Sequence, residues 1–242
     1  MEQQPPPALD PERHALFLDF DGTFVEFAPK PDAIELKPGS RELLAKVRDR
    51  LGGALALVSG RRIADLDRFL APLELPASGV HGQEFRPGPG DLRRTPPTPQ
   101  LDEARRRLAA ALDPGDPLML EDKGGALVLH FRQRPEQGGR AGSLAAAAVA
   151  GLSDLHAVAG HAIMEIRQHG ISKAMAIGLF ARSEPFSGRR PVFIGDDTTD
   201  EDGFRAAAEA GGFGVKVGPG ATQATYRLAD VSAVHGWLAA LA

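Results

Sequence analysis

Three short apolar runs in this chain stop abruptly on polar residues, and this pattern constrains the fold more than any other feature. Residues 15–18, Ala-Leu-Phe-Leu, stop on Asp19, with Asp21 two positions further on. Residues 54–58, Ala-Leu-Ala-Leu-Val, stop on Ser59. Residues 191–194, Pro-Val-Phe-Ile, lead through Gly195 into Asp196. Each run has the length and composition of a strand buried on both faces. Segments with helical spacing lie between them: Leu43, Leu44, Val47 and Leu51 mark one that begins at Ser40, an expected N-cap, and residues 63–70 form another. Strands alternating with helices predict an α/β fold on a doubly wound parallel sheet of the Rossmann-like kind. Such sheets bind ligands beyond the carboxyl ends of their strands, so Asp19, Ser59 and Asp196 are expected at one edge.

The pattern breaks between residues 87 and 167. Pro87-Gly88-Pro89-Gly90 opens a proline-rich stretch. A helix is predicted over 101–112, then a hairpin of residues 118–123 and 126–132 around Gly124-Gly125, an alanine-rich helix over 142–151, and strands at 155–159 and 162–167. Alternation puts Leu127, Leu129 and Phe131 on one face of the hairpin, Val128, His130 and Arg132 on the other, and Glu121 with Lys123 on a common side. The chain is therefore expected to divide into a core of residues 13–86 and 168–242, a small α+β insert of residues 87–167, and a flexible leader of residues 1–12. Past the insert, Ser172 is expected to cap a helix with Lys173 in its first turn. A helix from Asp200, a strand over 213–217, a short helix from Thr222 and a closing helix over 231–241 follow.

Composition removes several classes of function. The 242 residues carry a net charge of −4, with no basic excess to attract nucleic acid or acidic lipid. There is no cysteine, hence no disulfide, thiol nucleophile or thiolate metal site. The first residues lack the basic start and apolar stretch of a signal peptide, and no run approaches the ~20 apolar residues that span a bilayer. A cytoplasmic location without membrane or nucleic-acid partners is the expectation.

The polar strand ends suit phosphoryl transfer. Asp19 and Asp21 point the same way on an extended backbone, Gly22 lets the chain turn, and Thr23 adds a hydroxyl. Two such charges ~4 Å apart repel by about 4 kcal/mol at an effective dielectric near 20, and a cation is the natural compensator. Asp19 can attack phosphorus. Asp21 can protonate the leaving oxygen and later take a proton from water. Asp196 can complete an oxygen site for Mg2+. Ser59 and the amides near Gly22 can hold phosphoryl oxygens, and Lys173 can add positive charge.

In this order Asp19-Phe20-Asp21-Gly22-Thr23, Ser59, Lys173 and the run from Gly195 and Asp196 to Asp200 resemble the four motifs of the haloacid-dehalogenase-like (HAD) phosphatases. The resemblance implies Asp19 as nucleophile, Asp21 as acid/base, and Mg2+ held by Asp19, the Asp21 carbonyl and Asp196, with Asp197 and Asp200 in support. Ser59-Gly60-Arg61, Gly79-Val80-His81-Gly82, Glu121-Asp122-Lys123, His130-Phe131-Arg132, Glu165-Ile166-Arg167 and Lys216-Val217-Gly218 are similar to patterns of the trehalose-6-phosphate phosphatase family, over about residues 15–238. That likeness implies hydrolysis of a phosphorylated disaccharide, trehalose 6-phosphate, with the insert as a cap. Gly22, Thr23, Arg61 and His81 would then contact substrate, while Glu121, Lys123, Arg132 and Glu165 would grip sugar hydroxyls. A separate trehalose-phosphate synthase chain is the protein partner it implies. Phe24 stands where the family often has leucine, and Ala174 where glycine is frequent. The same chemistry also fits a broader sugar-phosphate phosphatase, for example on sucrose 6-phosphate, a phosphomutase, or a phosphosugar-binding regulator without turnover.

Overall fold

The computed structural model describes residues 4–28 and 32–242. Residues 1–3 of the expected leader, and 29–31 of the loop after the first strand, lie outside the described residues. In chain order the elements are β1 His14–Leu18, α1 Ser40–Arg50, β2 Leu55–Val58, α2 Ile63–Leu70, β3 Ala77–Gly79, β4 Glu84–Arg86, β5 Arg93–Arg94 and α3 Pro99–Ala111. There follow β6 Met119–Asp122, β7 Ala126–His130, α4 Gly138–Val149, β8 Leu155–Gly160, β9 Ile163–Gln168, α5 Lys173–Phe180, β10 Arg190–Gly195, α6 Glu201–Glu209, β11 Phe213–Val217, β12 Tyr226–Leu228 and α7 Val231–Ala239. The chain divides into two compact units, residues 1–93 with 172–242, and residues 94–171.

The first unit carries a sheet in the order β12-β11-β10-β1-β2-β3-β4-β5. β10, β1 and β2 are adjacent and parallel, with Leu18 opposite Ile194 and Leu57. Their carboxyl ends thus lie side by side, and those ends carry Asp196, Asp19 and Ser59. β4 turns back antiparallel to β3. Leu16, Phe17, Leu18, Leu55, Leu57, Phe193 and Ile194 are buried, and Phe17, Phe180 and Phe186 pack ring against ring. Each such side chain contributes about 1.5–3 kcal/mol by leaving water. Helix α2 buries Ile63, Leu66 and Leu70 at helical spacing against this core, and the Glu84 carboxylate accepts from the orphan amide of Ile63 at 2.7 Å. Ser172 caps α5, its hydroxyl accepting from the Met175 amide at 3.2 Å.

Four expectations are corrected. Ser40 is the first residue of α1, not its cap; Gly39, with φ 83°, takes the cap position without a side-chain bond. No helix begins at Thr222, whose hydroxyl accepts from the Ala224 amide ahead of the edge strand β12. Residues 4–12 are not a loose leader: Leu9 is buried in the core, and the Arg189 guanidinium donates to the Pro11 carbonyl at 2.6 Å. The first unit also extends to Arg93 and resumes at Ser172, beyond the expected bounds of 86 and 168, because β5 joins the edge of its sheet while β9 runs on to Gln168 in the other.

The second unit has the predicted αββαββ order, folded as an antiparallel sheet β6-β7-β9-β8. Leu101, Ala104 and Leu108 of α3 and Ala141, Ala145 and Ala148 of α4 pack with Leu127, Leu129 and Ile166 in one apolar cluster. The alanines leave little bulk between the helices. Thr98 caps α3, and Gln168 at the end of β9 accepts from the Thr98 amide at 3.0 Å.

Candidate active site

At the carboxyl edge of the first unit's sheet, Asp19, Asp196 and Asp200 each offer a carboxylate oxygen, and these atoms lie within 4.8 Å of one another. Asp19 is held by backbone pairing of its amide to the Ile194 carbonyl at 2.9 Å. Lys173, on the first turn of α5, is buried and donates to Asp19 Oδ1 at 2.8 Å and also to Asp200. Thr23 Oγ1 donates to Asp196 Oδ1 at 3.0 Å. Gly22 is required where the chain turns past Asp21: its φ is 77°, and a Cβ there would lie 2.3 Å from Asp196 Oδ2.

Asp197 and Asp200, which the sequence left unranked, separate clearly. Asp200 is fully buried, pairs with Lys173, and accepts from the amides of Asp196 and Asp197 at 3.0 and 2.9 Å. Asp197 accepts from the Thr198 amide at 2.7 Å and caps the turn at Thr198–Asp200. Its role is local.

The Asp21 carboxylate lies outside the acidic cluster. Both its oxygens are held by Arg61, at 2.6 and 2.7 Å, and the Arg61 guanidinium lies 5.1 Å from the centre of the Phe69 ring. Ser59 is buried at the end of β2, its hydroxyl accepting from the Arg61 amide at 3.2 Å. His81 donates its amide to the Ser59 carbonyl at 3.0 Å. Val80 and His81 have φ of 47° and 56°, a region costly for a β-branched residue, and this backbone sets the His81 ring against Gly60, where a Cβ would sit 2.5 Å from Nε2.

Burial pushes the Asp19 carboxyl well above its ordinary value; Lys173 opposes this, while Asp200 and Asp196 add to it. Burial, reinforced by Asp200, pushes the Asp196 carboxyl up to about 7. Burial works to lower the Lys173 ammonium, but Asp19 and Asp200 outweigh it and hold the group protonated. With all three carboxylates ionised, Lys173 leaves net negative charge in a largely buried place. The donors are all oxygen, and the cluster lacks charge of one sign. It fits a hard divalent cation.

The remaining predicted residues lie in the second unit. Glu121 pairs across the strands with Val128, and Val128 with Glu165, so the two glutamates occupy one row of the sheet. Leu127, Leu129 and Ile166 point to the helices, and alternation puts both glutamates on the opposite face. Glu121 meets His130 at 2.8 Å; Glu165 is buried, with Arg167 at 4.0 Å. Lys123 follows Glu121 past the end of β6, and Arg132 lies just past β7. His130, Arg167 and Lys216 were given no role on sequence, although a lone lysine inside the apolar strand β11 was a visible signal.

The fold is that of the HAD superfamily. A phosphatase of that superfamily from Bacteroides thetaiotaomicron superposes with a TM-score of 0.64 at 21% identity, over 96% of each chain. The Candida albicans trehalose-6-phosphate phosphatase C-terminal domain superposes with a TM-score of 0.83 at 22% identity, over 97% of each. The Escherichia coli trehalose-6-phosphate phosphatase is 38% identical over 229 residues, 93% of this chain and 85% of that protein. The trehalose-phosphatase family model matches residues 17–232. The chain belongs to the trehalose-phosphatase family, and so to the phosphoric monoester hydrolases. No helix among the described residues is long and apolar enough to cross a membrane.

Proposed function

We propose that the protein hydrolyses trehalose 6-phosphate to trehalose and phosphate, with Mg2+ and through an aspartyl phosphate on Asp19. The observation that carries this reading is the convergence of Asp19, Lys173 and the Asp196–Asp200 loop, from three separate segments, at one strand edge.

Asp19 attacks phosphorus through one carboxylate oxygen, and the bond from phosphorus to the sugar oxygen breaks. Asp21 donates the proton that the departing sugar hydroxyl needs. It then takes a proton from the water that attacks phosphorus, so that phosphate leaves and Asp19 is restored. Both Asp21 oxygens accept from Arg61 in the structure, so the acid step requires one of these contacts to open as Asp21 takes up its proton, and the other then orients the carboxyl. Ser59, the Thr23 amide and the Lys173 ammonium hold phosphoryl oxygens; the Gly22 amide, expected among these donors, is instead committed to the Val25 carbonyl at 2.7 Å. Asp19, Asp196 and the Asp21 carbonyl would hold Mg2+, with Asp200 supporting them. The ion supplies positive charge against the gathered carboxylates and the phosphate. Carried over from the family's pattern, Glu121, Lys123, Arg132 and Glu165 would read the sugar hydroxyls, since carboxylates accept well from vicinal hydroxyls, and His81 would contact substrate. A synthase on another chain would supply the substrate.

The test is phosphate release by purified protein with MgCl2. Trehalose 6-phosphate should turn over much faster than sucrose 6-phosphate or glucose 6-phosphate. Equal rates would remove the trehalose assignment, a phosphorylated product would indicate a mutase, and binding without turnover would indicate a regulator.

A further inference from the structure

Asp196 is tied at each of its polar groups. Its amide donates to Asp200 Oδ2 at 3.0 Å, and its carboxylate accepts from Thr23 at 3.0 Å. Its carbonyl accepts from Lys216 Nζ at 2.5 Å. Lys216 lies on β11, directly across from Gly195 on β10. Its neighbours on that strand include the buried Val215 and Val217, and Lys216 itself is buried. A buried ammonium is costly unless its donors are satisfied; here they go to the carbonyls of Asp196 and Val217, at 2.5 and 2.7 Å. Gly195 has no room to adjust, because a Cβ there would lie 2.3 Å from Asp200 Cγ. The backbone that presents Asp196 is thus gripped from two sides.

We propose that Lys216 is a positioning residue for the cation site: its ammonium clamps the Asp196 carbonyl and so fixes where the Asp196 carboxylate points. A charge-assisted hydrogen bond is stronger than a neutral one, which explains a lysine where β11 otherwise calls for an apolar side chain. The ammonium also lies beside the acidic loop and offsets part of its negative charge when no cation is bound. This inference rests on reading the acidic cluster as a divalent-cation site.

The experiment is titration of Mn2+ into the full chain, followed by electron paramagnetic resonance of the free ion, for the wild type, Lys216→Met and Lys216→Gln. The Met variant should bind Mn2+ about 10–100-fold more weakly, the usual effect of removing a group that orients a ligand. The Gln variant keeps a donor and should lose less. The Mg2+ concentration giving half-maximal phosphate release should rise by the same factor, with the rate at saturating Mg2+ falling less. A merely structural lysine would instead lower the metal-free unfolding midpoint and leave the affinity of the folded protein alone. Affinities within about twofold of wild type in both variants would overturn the proposal; if the Met variant does not fold, the Gln variant decides by the same measure. A wild type that binds no Mn2+ would sink the cation reading itself, whereas a binding wild type with unaffected variants would sink only the role of Lys216.

Discussion

The two units place their charges in opposite ways. In the first, Asp19, Asp200 and Lys173, all buried, and the half-buried Asp196 form a knot at a sheet edge. In the second, Glu121 and Glu165 lie in a row on one sheet face, each with a basic neighbour, while the opposite face packs α3 and α4. A coupled cluster cannot lose a member without disturbing the rest. A row of separate side chains can change one contact at a time. On the proposed function, the first arrangement would serve chemistry common to many phosphate esters, and the second selection among the alcohols they carry.

The contrast breaks most sharply at Asp19. Asp19→Asn should lower phosphate release at least ~10⁴-fold for every substrate, as loss of a nucleophile does elsewhere, with circular dichroism unchanged. A large residual rate on any ester would take the nucleophile's role from Asp19. Glu121→Gln and Glu165→Gln should behave differently. Each should reduce kcat/KM for trehalose 6-phosphate by about 10–100-fold, the worth of a hydrogen bond to a charged group, mostly through KM. p-Nitrophenyl phosphate, which has no sugar, should be nearly unaffected. Equal losses on both substrates would erase the distinction between the units.

The smallest effect concerns pH. The folded pKa of Asp196, about 7, and the raised pKa of Asp19 exceed their ordinary values through burial. Between about pH 4 and 7 the folded cation-free chain therefore holds more protons than the unfolded one, and its stability falls as pH rises. A divalent cation relieves this penalty once the carboxylates are ionised. MgCl2 should raise the unfolding midpoint by roughly 2–4 °C more at pH 8 than at pH 5, the shift that about 1 kcal/mol gives in a chain of this size. An equal shift at both values would argue against the cation lying among these carboxylates.

Much of the fold could be read from the chain itself. Strands β1, β2 and β10 announced themselves because an apolar run and its polar stop are both local, and α2 and β11 have the predicted bounds. Short or singular contacts left no such trace. β4 is three residues long with one apolar side chain, and β12 is as brief, so neither shows a period. Leu9 is a lone apolar residue among prolines, and its burial depends on the folded core. The gathering of Asp19, Ser59 and Asp196 followed from strand order alone. The difference between Asp197 and Asp200 did not, since both are acids ahead of a helix and only folding sends one to Lys173. Phe24 gave no sign of its partner either; its ring stacks on His235 of α7 at 4.6 Å.

The most direct test is a rapid acid quench of the wild-type protein turning over trehalose 6-phosphate with Mg2+, followed by peptide mass spectrometry. The expected result is a phosphoryl group on the carboxylate of Asp19, absent when Mg2+ is withheld. Phosphate release with no trapped phosphoryl group at Asp19, or with the group on Ser59, would contradict the account.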